Sequence, residues 1–98
     1  MTVTTADIFP AAAETTIQIF EWEAAGRKIG EFPATELGLA EAIDAVKANT
    51  TDEVCPFVQL VHASDPRPFA IDTDLFRGFA DDATPAQAFS EFCVFAFN

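Results

Sequence analysis

The sequence predicts one α+β domain over residues 1–98, in which a mostly antiparallel sheet of four to five strands packs against one main helix and one short helix. Three observations support this fold class. Half of the residues are apolar and 11 are Phe, which is enough to form a core at the length of one domain. Several segments are rich in β-branched and aromatic residues, as strands are, and one longer segment has apolar residues at helical spacing.

Two strands, over residues 15–23 and 27–32, form the first predicted hairpin. The three-residue loop at 24–26 ends in a glycine, which suits the left-handed position of such a loop. The resulting register places the following side chains on one face: Ile17, Ile19, Glu21, Glu23, Arg27, Ile29 and Glu31. The other face then carries Phe20, Trp22, Gly30 and Phe32.

The main helix is predicted from Glu36 to Asn49. Thr35 is suited to cap its N-terminus, and Glu36 places a negative charge in the first turn, where the helix dipole favours it. Gly38 weakens that turn. The predicted buried stripe consists of Leu39, Ala40, Ile43 and Val46, while Glu41, Asp44 and Lys47 face water.

A strand follows over Val54–Val61 and is apolar on both faces. Because Pro56 has no backbone N–H for the ladder, we expect it near the start of the strand, at a bulge or along an edge. Residues 64–68 have strong turn chemistry, and a short strand over 69–72 is predicted to pair back.

The remaining helical segments are short. Residues 75–79 are predicted to form a helical turn. Thr84, Pro85 and Gln87 then match a capping box, with a hydroxyl at the N-cap, Pro at the first helical position and Gln three residues after the cap. The sequence therefore predicts a short helix that ends at about Phe92.

The chain closes with an apolar segment, Cys93–Phe97, which we predict to be the last strand. No charged residue follows Glu91, so this strand, as an unprotected edge, would pair with another chain. A structural or assembly subunit that self-associates through the C-terminal strand, for example as a homodimer, is therefore the alternative function.

The two cysteines lie in apolar segments, where a reduced thiol behaves as a small buried side chain. A nucleophilic role for Cys55 or Cys93, with His62 as the base, is disfavoured because a reactive thiolate needs electropositive surroundings. The sequence has sixteen carboxylates, and no pattern among them singles out two as a catalytic acid–base pair. We therefore expect no catalytic residue and no enzyme.

No metal or cofactor motif is evident. Asp72 and Asp74 have the spacing that begins a calcium loop, but such a loop needs Asp or Asn where Phe76 stands and Gly where Arg77 stands. The four glycines are scattered, so no phosphate-binding loop is formed. We expect neither a metal site nor a cofactor-binding site.

Charge is the most informative feature for function. Sixteen Asp and Glu against five Lys and Arg give a formal charge of −11. Such a field repels nucleic acid and anionic membranes and attracts basic protein surfaces. The predicted role is a non-enzymatic protein-binding module, and its predicted partner-binding residues are Glu21, Glu23, Glu31, Asp81 and Asp82.

In size, charge and α+β character, the chain resembles small acidic phage-encoded inhibitors, which include many anti-CRISPR proteins. The resemblance is one of composition, and it implies a viral inhibitor that mimics nucleic acid and blocks a basic nucleic-acid-binding site. Eleven net charges correspond to about five to six base pairs of duplex. The alternative interpretation of the hairpin carboxylates is that they form an ordinary solvated face.

The sequence predicts a cytoplasmic protein. Residues 1–7 lack the basic and apolar regions of a secretion signal. No apolar run approaches the roughly 20 residues that span a bilayer.

Overall fold

A computed structural model describes residues 14–21, 26–63 and 65–97, and it has the predicted α+β class. The elements of the described residues, in chain order, are β1 (Thr15–Phe20), β2 (Lys28–Pro33), α1 (Glu36–Asn49), β3 (Phe57–His62), β4 (Asp65–Ile71), α2 (Thr73–Gly78) and α3 (Pro85–Phe97). Among these residues, no helix is both long and apolar enough to cross a membrane.

The four strands form one antiparallel sheet in the order β2-β1-β3-β4. Ile17 of β1 lies opposite Phe32 on one side and Leu60 on the other, so these three side chains point to the same face. That face packs against the helices and forms the core. The buried core residues are Ile17, Ile19, Ala34, Leu39, Ala42, Ile43, Val46, Val58, Leu60, Ile71, Phe76, Phe79, Ala88, Phe89, Phe92 and Cys93.

The register of the first hairpin differs from the prediction by one residue. Ile19 lies opposite Gly30, and Glu31 lies opposite Gln18, with an irregularity between Ile19 and Phe20. Because side chains alternate along a strand, a slip of one residue moves each of them to the other face. Glu31 therefore shares a face with Gln18, and its predicted placement beside Ile17 and Ile19 is wrong.

Helix α1 has the predicted bounds. The Thr35 hydroxyl accepts a hydrogen bond from the Gly38 N–H at 2.9 Å, which caps the helix as expected. Leu39, Ile43 and Val46 are buried against the sheet, whereas Ala40, which belonged to the predicted stripe, is only partly buried. The helix thus lies over β1 and β2 and leaves its outer side exposed.

The predicted C-terminal strand is wrong, because residues 93–97 continue helix α3. The capping box is present: the Thr84 N–H donates to Gln87 Oε1 at 2.9 Å, and the Gln87 N–H donates to Thr84 Oγ1 at 3.2 Å. The side chains buried in α3 are Ala88, Phe89, Phe92 and Cys93. Their spacing is helical, and a continuous apolar run does not distinguish a helix from a buried strand.

The proline prediction near β3 is confirmed, whereas the turn predicted at 64–68 is wrong over residues 65–68, because these belong to strand β4, which pairs with β3. Pro56 lies just before β3, where its missing N–H interrupts no ladder. Strand β4 begins at Asp65 and is longer than predicted, and two prolines fall on it because it is an edge strand. The helical turn predicted at 75–79 is confirmed in type, and helix α2 begins two residues earlier, at Thr73, and ends at Gly78.

Candidate protein-docking surface

The carboxylates of the first hairpin lie beside cations. Glu21 Oε1 is 3.1 Å from Arg27 Nη2, and Glu31 Oε2 is 3.4 Å from Lys28 Nζ. Two carboxylates and two cations leave this pair of ion pairs with no net charge. Glu23, the third predicted binding residue of the hairpin, lies outside the described residues.

A row of polar side chains crosses three strands at Glu31. Gln18 Nε2 donates to Glu31 Oε1 at 3.2 Å, and Gln59 Nε2 donates to Gln18 Oε1 at 2.7 Å. The hydrogen bond from Gln18 lowers the pKa of Glu31, and the hydrogen bond and charge of Lys28 lower it further. Glu31 is therefore an ionised member of a bonded row rather than an unpaired anion.

Asp81 and Asp82, the other predicted binding residues, lie in the loop between α2 and α3. Asp81 Oδ1 is 3.9 Å from Lys47 Nζ, which places this loop beside the last turns of α1. Asp82 has a positive φ of 54°, which Asp tolerates better than most residues, and its side chain is exposed. The structure thus brings Asp81 to α1, and Asp82 is the next residue of the same loop.

Helix α1 itself carries three exposed carboxylates, on Glu36, Glu41 and Asp44. At 3.6 residues per turn they fall within an arc of about 140° around the helix axis. In the part of the chain that the structure describes, none of the three forms an ion pair. The sequence identified Glu41 and Asp44 as solvent-facing, but nothing in it distinguished them from carboxylates with cationic partners.

We define the α1 acidic surface as Glu36, Glu41, Asp44, Asp81 and Asp82. Lys47 is the cation that the structure places within this group. Five carboxylates and one ammonium give a local charge of −4, whereas the described hairpin residues sum to zero. The α1 side therefore carries more net negative charge than the described part of the hairpin does.

A partly open apolar cavity of about 80 Å³ lies between α1 and the chain that runs from the end of α2 into α3. Its lining residues are Glu36, Leu39, Ala40, Ile43, Ala80, Ala83, Pro85 and Ala88. Glu36 is the one charged residue among them. The cavity adjoins the α1 acidic surface, because Asp81 and Asp82 stand between its lining residues Ala80 and Ala83.

Exposed apolar side chains mark a second surface, at the β4 edge and the end of α3. Phe69 is 50% exposed and Phe95 is 44% exposed, and their ring centroids are 6.4 Å apart. Val94, on the same end of α3, is 48% exposed. Exposed aromatic residues that touch one another are typical of surfaces that become covered on association.

The cysteines offer little nucleophilic chemistry. Cys93 is fully buried, and burial raises the pKa of its thiol to about 11, so it stays protonated near neutral pH. Cys55 is exposed, so its predicted burial is wrong. Both are free thiols. His62 ends β3, and its Nε2 lies 3.5 Å from Glu14 Oε2.

Asp72 and Asp74, which have the spacing that begins a calcium loop, have structural roles. Asp72 Oδ1 accepts a hydrogen bond from the Leu75 N–H at 3.0 Å and so caps α2. Asp74 is paired with Arg77 one turn later. Over the described ranges, no three His, Cys, Asp or Glu side chains are grouped so as to hold a metal ion.

Comparison with known proteins adds no family to this description. The chain matches no protein-family model, and neither the curated proteins nor the solved structures include a significantly similar one.

Proposed function

We propose that the protein is a non-enzymatic binding module whose α1 acidic surface docks on a basic site of a protein partner. The observation that carries the proposal is the unequal distribution of cations. Arg27, Lys28, Lys47 and Arg77 each have a carboxylate partner, and Arg67 also has an interaction partner. The three carboxylates on the outer side of α1 have none in the described part of the chain.

The dimensions of this surface suit a site that normally binds nucleic acid. The carboxylates of helix α1 run from Glu36 to Asp44, a span of about 12 Å and the length of about three to four base pairs of duplex. A row of carboxylates along the helix presents negative charge over a distance comparable with a short stretch of phosphate backbone. The specific role we propose is that of an inhibitor, like the acidic phage inhibitors that the chain resembles, which occupies such a site.

The test compares two variants that lose the same charge in different places. Glu36→Gln/Glu41→Gln/Asp44→Asn neutralises α1, and Asp52→Asn/Glu53→Gln/Glu91→Gln removes three charges elsewhere. Immobilised protein is exposed to cell extract at about 50 mM and about 500 mM NaCl, since exposed charges are screened at the higher concentration. We expect the wild type and the second variant to retain the same basic protein at low salt only, and the α1 variant to lose it.

Two results would contradict the proposal. One is equal retention by both variants, which would mean that α1 is not the docking surface. The other is retention that does not change with salt, since steering and docking by exposed charges depend on ionic strength. Substitution of Glu21 and Glu31 by Lys measures separately how much the hairpin contributes to binding. We expect a smaller loss of binding than for the α1 variant, because both carboxylates already have cationic neighbours.

A second candidate, self-association, is favoured by the exposed side chains of Phe69, Val94 and Phe95. The C-terminal segment is helical, so the predicted pairing of C-terminal strands does not supply the interface. The interface would instead form between the α3 ends and the β4 edges of two copies. Sedimentation across a wide range of protein concentration tests it. A mass that remains that of a monomer at every concentration removes this candidate.

A further inference from the structure

The cavity beside α1 has a wall of short apolar side chains. Four of its lining residues are alanines, whose side chains end at Cβ and leave the space unfilled. A water molecule in such a space would need two to four polar partners, and the lining offers one carboxylate, on Glu36. The natural occupant is therefore an apolar group.

The size of the cavity selects among apolar groups. Its volume of about 80 Å³ is roughly half of the 150 Å³ that accommodates a benzene molecule in an engineered apolar cavity. An aromatic ring is too large to be enclosed by it. The branched end of a Val, Leu or Ile side chain fits this volume and would contact Leu39 and Ile43.

The charges at the rim select the chain that carries the aliphatic group. Glu36 lies in the wall, Asp81 and Asp82 stand between two other lining residues, and Asp44 lies one turn beyond the lining residue Ala40 on α1. A segment that inserts an aliphatic side chain here places its neighbouring residues against these carboxylates. Lys and Arg are favoured at those positions, and acidic residues are repelled.

We propose that this cavity is the anchor pocket for the basic partner, and that it takes one Val, Leu or Ile side chain flanked by Lys or Arg. This inference rests on the proposed function and refines it. Charge brings the partner to the α1 acidic surface, and the anchor makes the complex specific and slows its dissociation, as a buried side chain in a desolvated pocket does at other interfaces.

The experiment uses two capped heptapeptides with equal charge, each with six lysines around a central residue that is Leu in one and Ala in the other. The two peptides are titrated at low salt into the isotopically labelled full chain, and amide chemical shifts give the affinity and the position of binding. We expect the Leu peptide to bind about tenfold more tightly, because its additional carbons leave water. The shift changes should centre on residues 39–43 and 80–88.

Ala40→Leu fills the cavity from α1 and should reduce the advantage of the Leu peptide to less than about twofold. Ala48→Leu, on the same helix but exposed, is the matched control and should preserve the tenfold difference. Ala83→Leu fills the cavity from the loop instead, so that a folding defect of one variant does not decide the outcome.

Each of the other possible results overturns the anchor pocket. Equal affinity of the wild type for the two peptides overturns the anchor pocket and leaves charge-driven docking in place, and the cavity is then a packing void. No binding of either peptide overturns both. An advantage of the Leu peptide that survives Ala40→Leu and Ala83→Leu shows that leucine binds elsewhere, for example at Phe69 and Phe95, and also overturns the anchor pocket.

Discussion

At the scale of single residues, a glycine is required at position 38 for a steric reason that helix propensity does not reveal. Glycine costs about 1 kcal/mol relative to alanine inside a helix, so the sequence suggests that it weakens the first turn of α1. In the structure, a Cβ at this position would lie 1.9 Å from the carbonyl oxygen of Pro33. Helix α1 therefore starts so close to the end of β2 that only glycine fits.

Gly38→Ala should consequently destabilise the protein by about 1 to 3 kcal/mol, since backbone has to move to relieve the overlap. Gly78→Ala is the matched control: a Cβ there meets no atom within 4 Å, and helix propensity should stabilise the protein by about 0.4 to 1 kcal/mol. Urea unfolding measures both. Equal effects of the two substitutions would mean that the contact with Pro33 is not tight.

The two cysteines provide a second test at this scale. At pH 8 a thiol reagent should modify one thiol in the native protein, on exposed Cys55, and two in denaturant. Cys55→Ser should leave the native protein unmodified, because Cys93 is buried and the pKa of its thiol is raised to about 11. Fast modification of Cys93 in the native Cys55→Ser variant would contradict its burial.

The same thiol affects stability at alkaline pH. Cys93 has a higher pKa in the folded protein than its ordinary value of 9.0, because burial disfavours the thiolate. The unfolded chain therefore releases this proton first as pH rises. The stabilisation is fully present below about pH 9 and is lost towards pH 11. Cys93→Ala should remove this part of the pH dependence.

At the scale of elements, α3 combines a local start signal with a long-range packing requirement. Thr84 and Gln87 satisfy each other's backbone N–H groups, which identifies where the helix begins. Phe92 contacts the rings of Phe76 and Phe79 edge-on, at centroid distances of 6.2 and 5.9 Å. The apolar C-terminal residues become helical because that conformation brings Phe92 and Cys93 into the core.

Thr84→Ala should lower the free energy of unfolding by about 1 kcal/mol, as the loss of an N-cap does elsewhere. Ser90→Ala, at an exposed position of the same helix, should change it by less than about 0.5 kcal/mol. Thermal or urea unfolding measures both. An effect of Thr84→Ala no larger than that of Ser90→Ala would show that the capping box does not stabilise α3.

At the scale of the whole molecule, the net charge of −11 sets a repulsive background. Carboxylates outnumber cations by eleven, so repulsion among the carboxylates opposes compaction. The three exposed carboxylates of α1 are part of this excess.

Salt should therefore stabilise the protein. Between about 10 mM and about 300 mM NaCl we expect the melting temperature to rise, because screening weakens the repulsion between carboxylates. Glu41→Gln/Asp44→Asn should raise the melting temperature at low salt and make it less dependent on salt; Glu36 is left in place because the helix dipole favours its charge. A melting temperature that falls with added salt would indicate that the ion pairs, and not the repulsion, dominate the electrostatics.

Most of the individual elements were predictable from the sequence. The bounds of α1, its Thr35 cap, the capping box at Thr84 and the placement of Pro56 at the start of β3 all follow from interactions within about one turn of chain. The α+β class follows from the order of such elements. Local hydrogen bonding and side-chain periodicity carry this information, and both are visible in a short window of sequence.

The register of the hairpin, the helical end of the chain and the location of the surplus charge depended on long-range contacts. Lys47 faces Asp81, 34 residues further along the chain, because the fold brings those segments together. Residues 93–97 are helical because Phe76 and Phe79 receive Phe92 there. Where two local conformations have similar energy, contacts with residues distant in sequence decide between them. The hairpin register, the helical C-terminal segment and the acidic surface are therefore determined only when the elements pack.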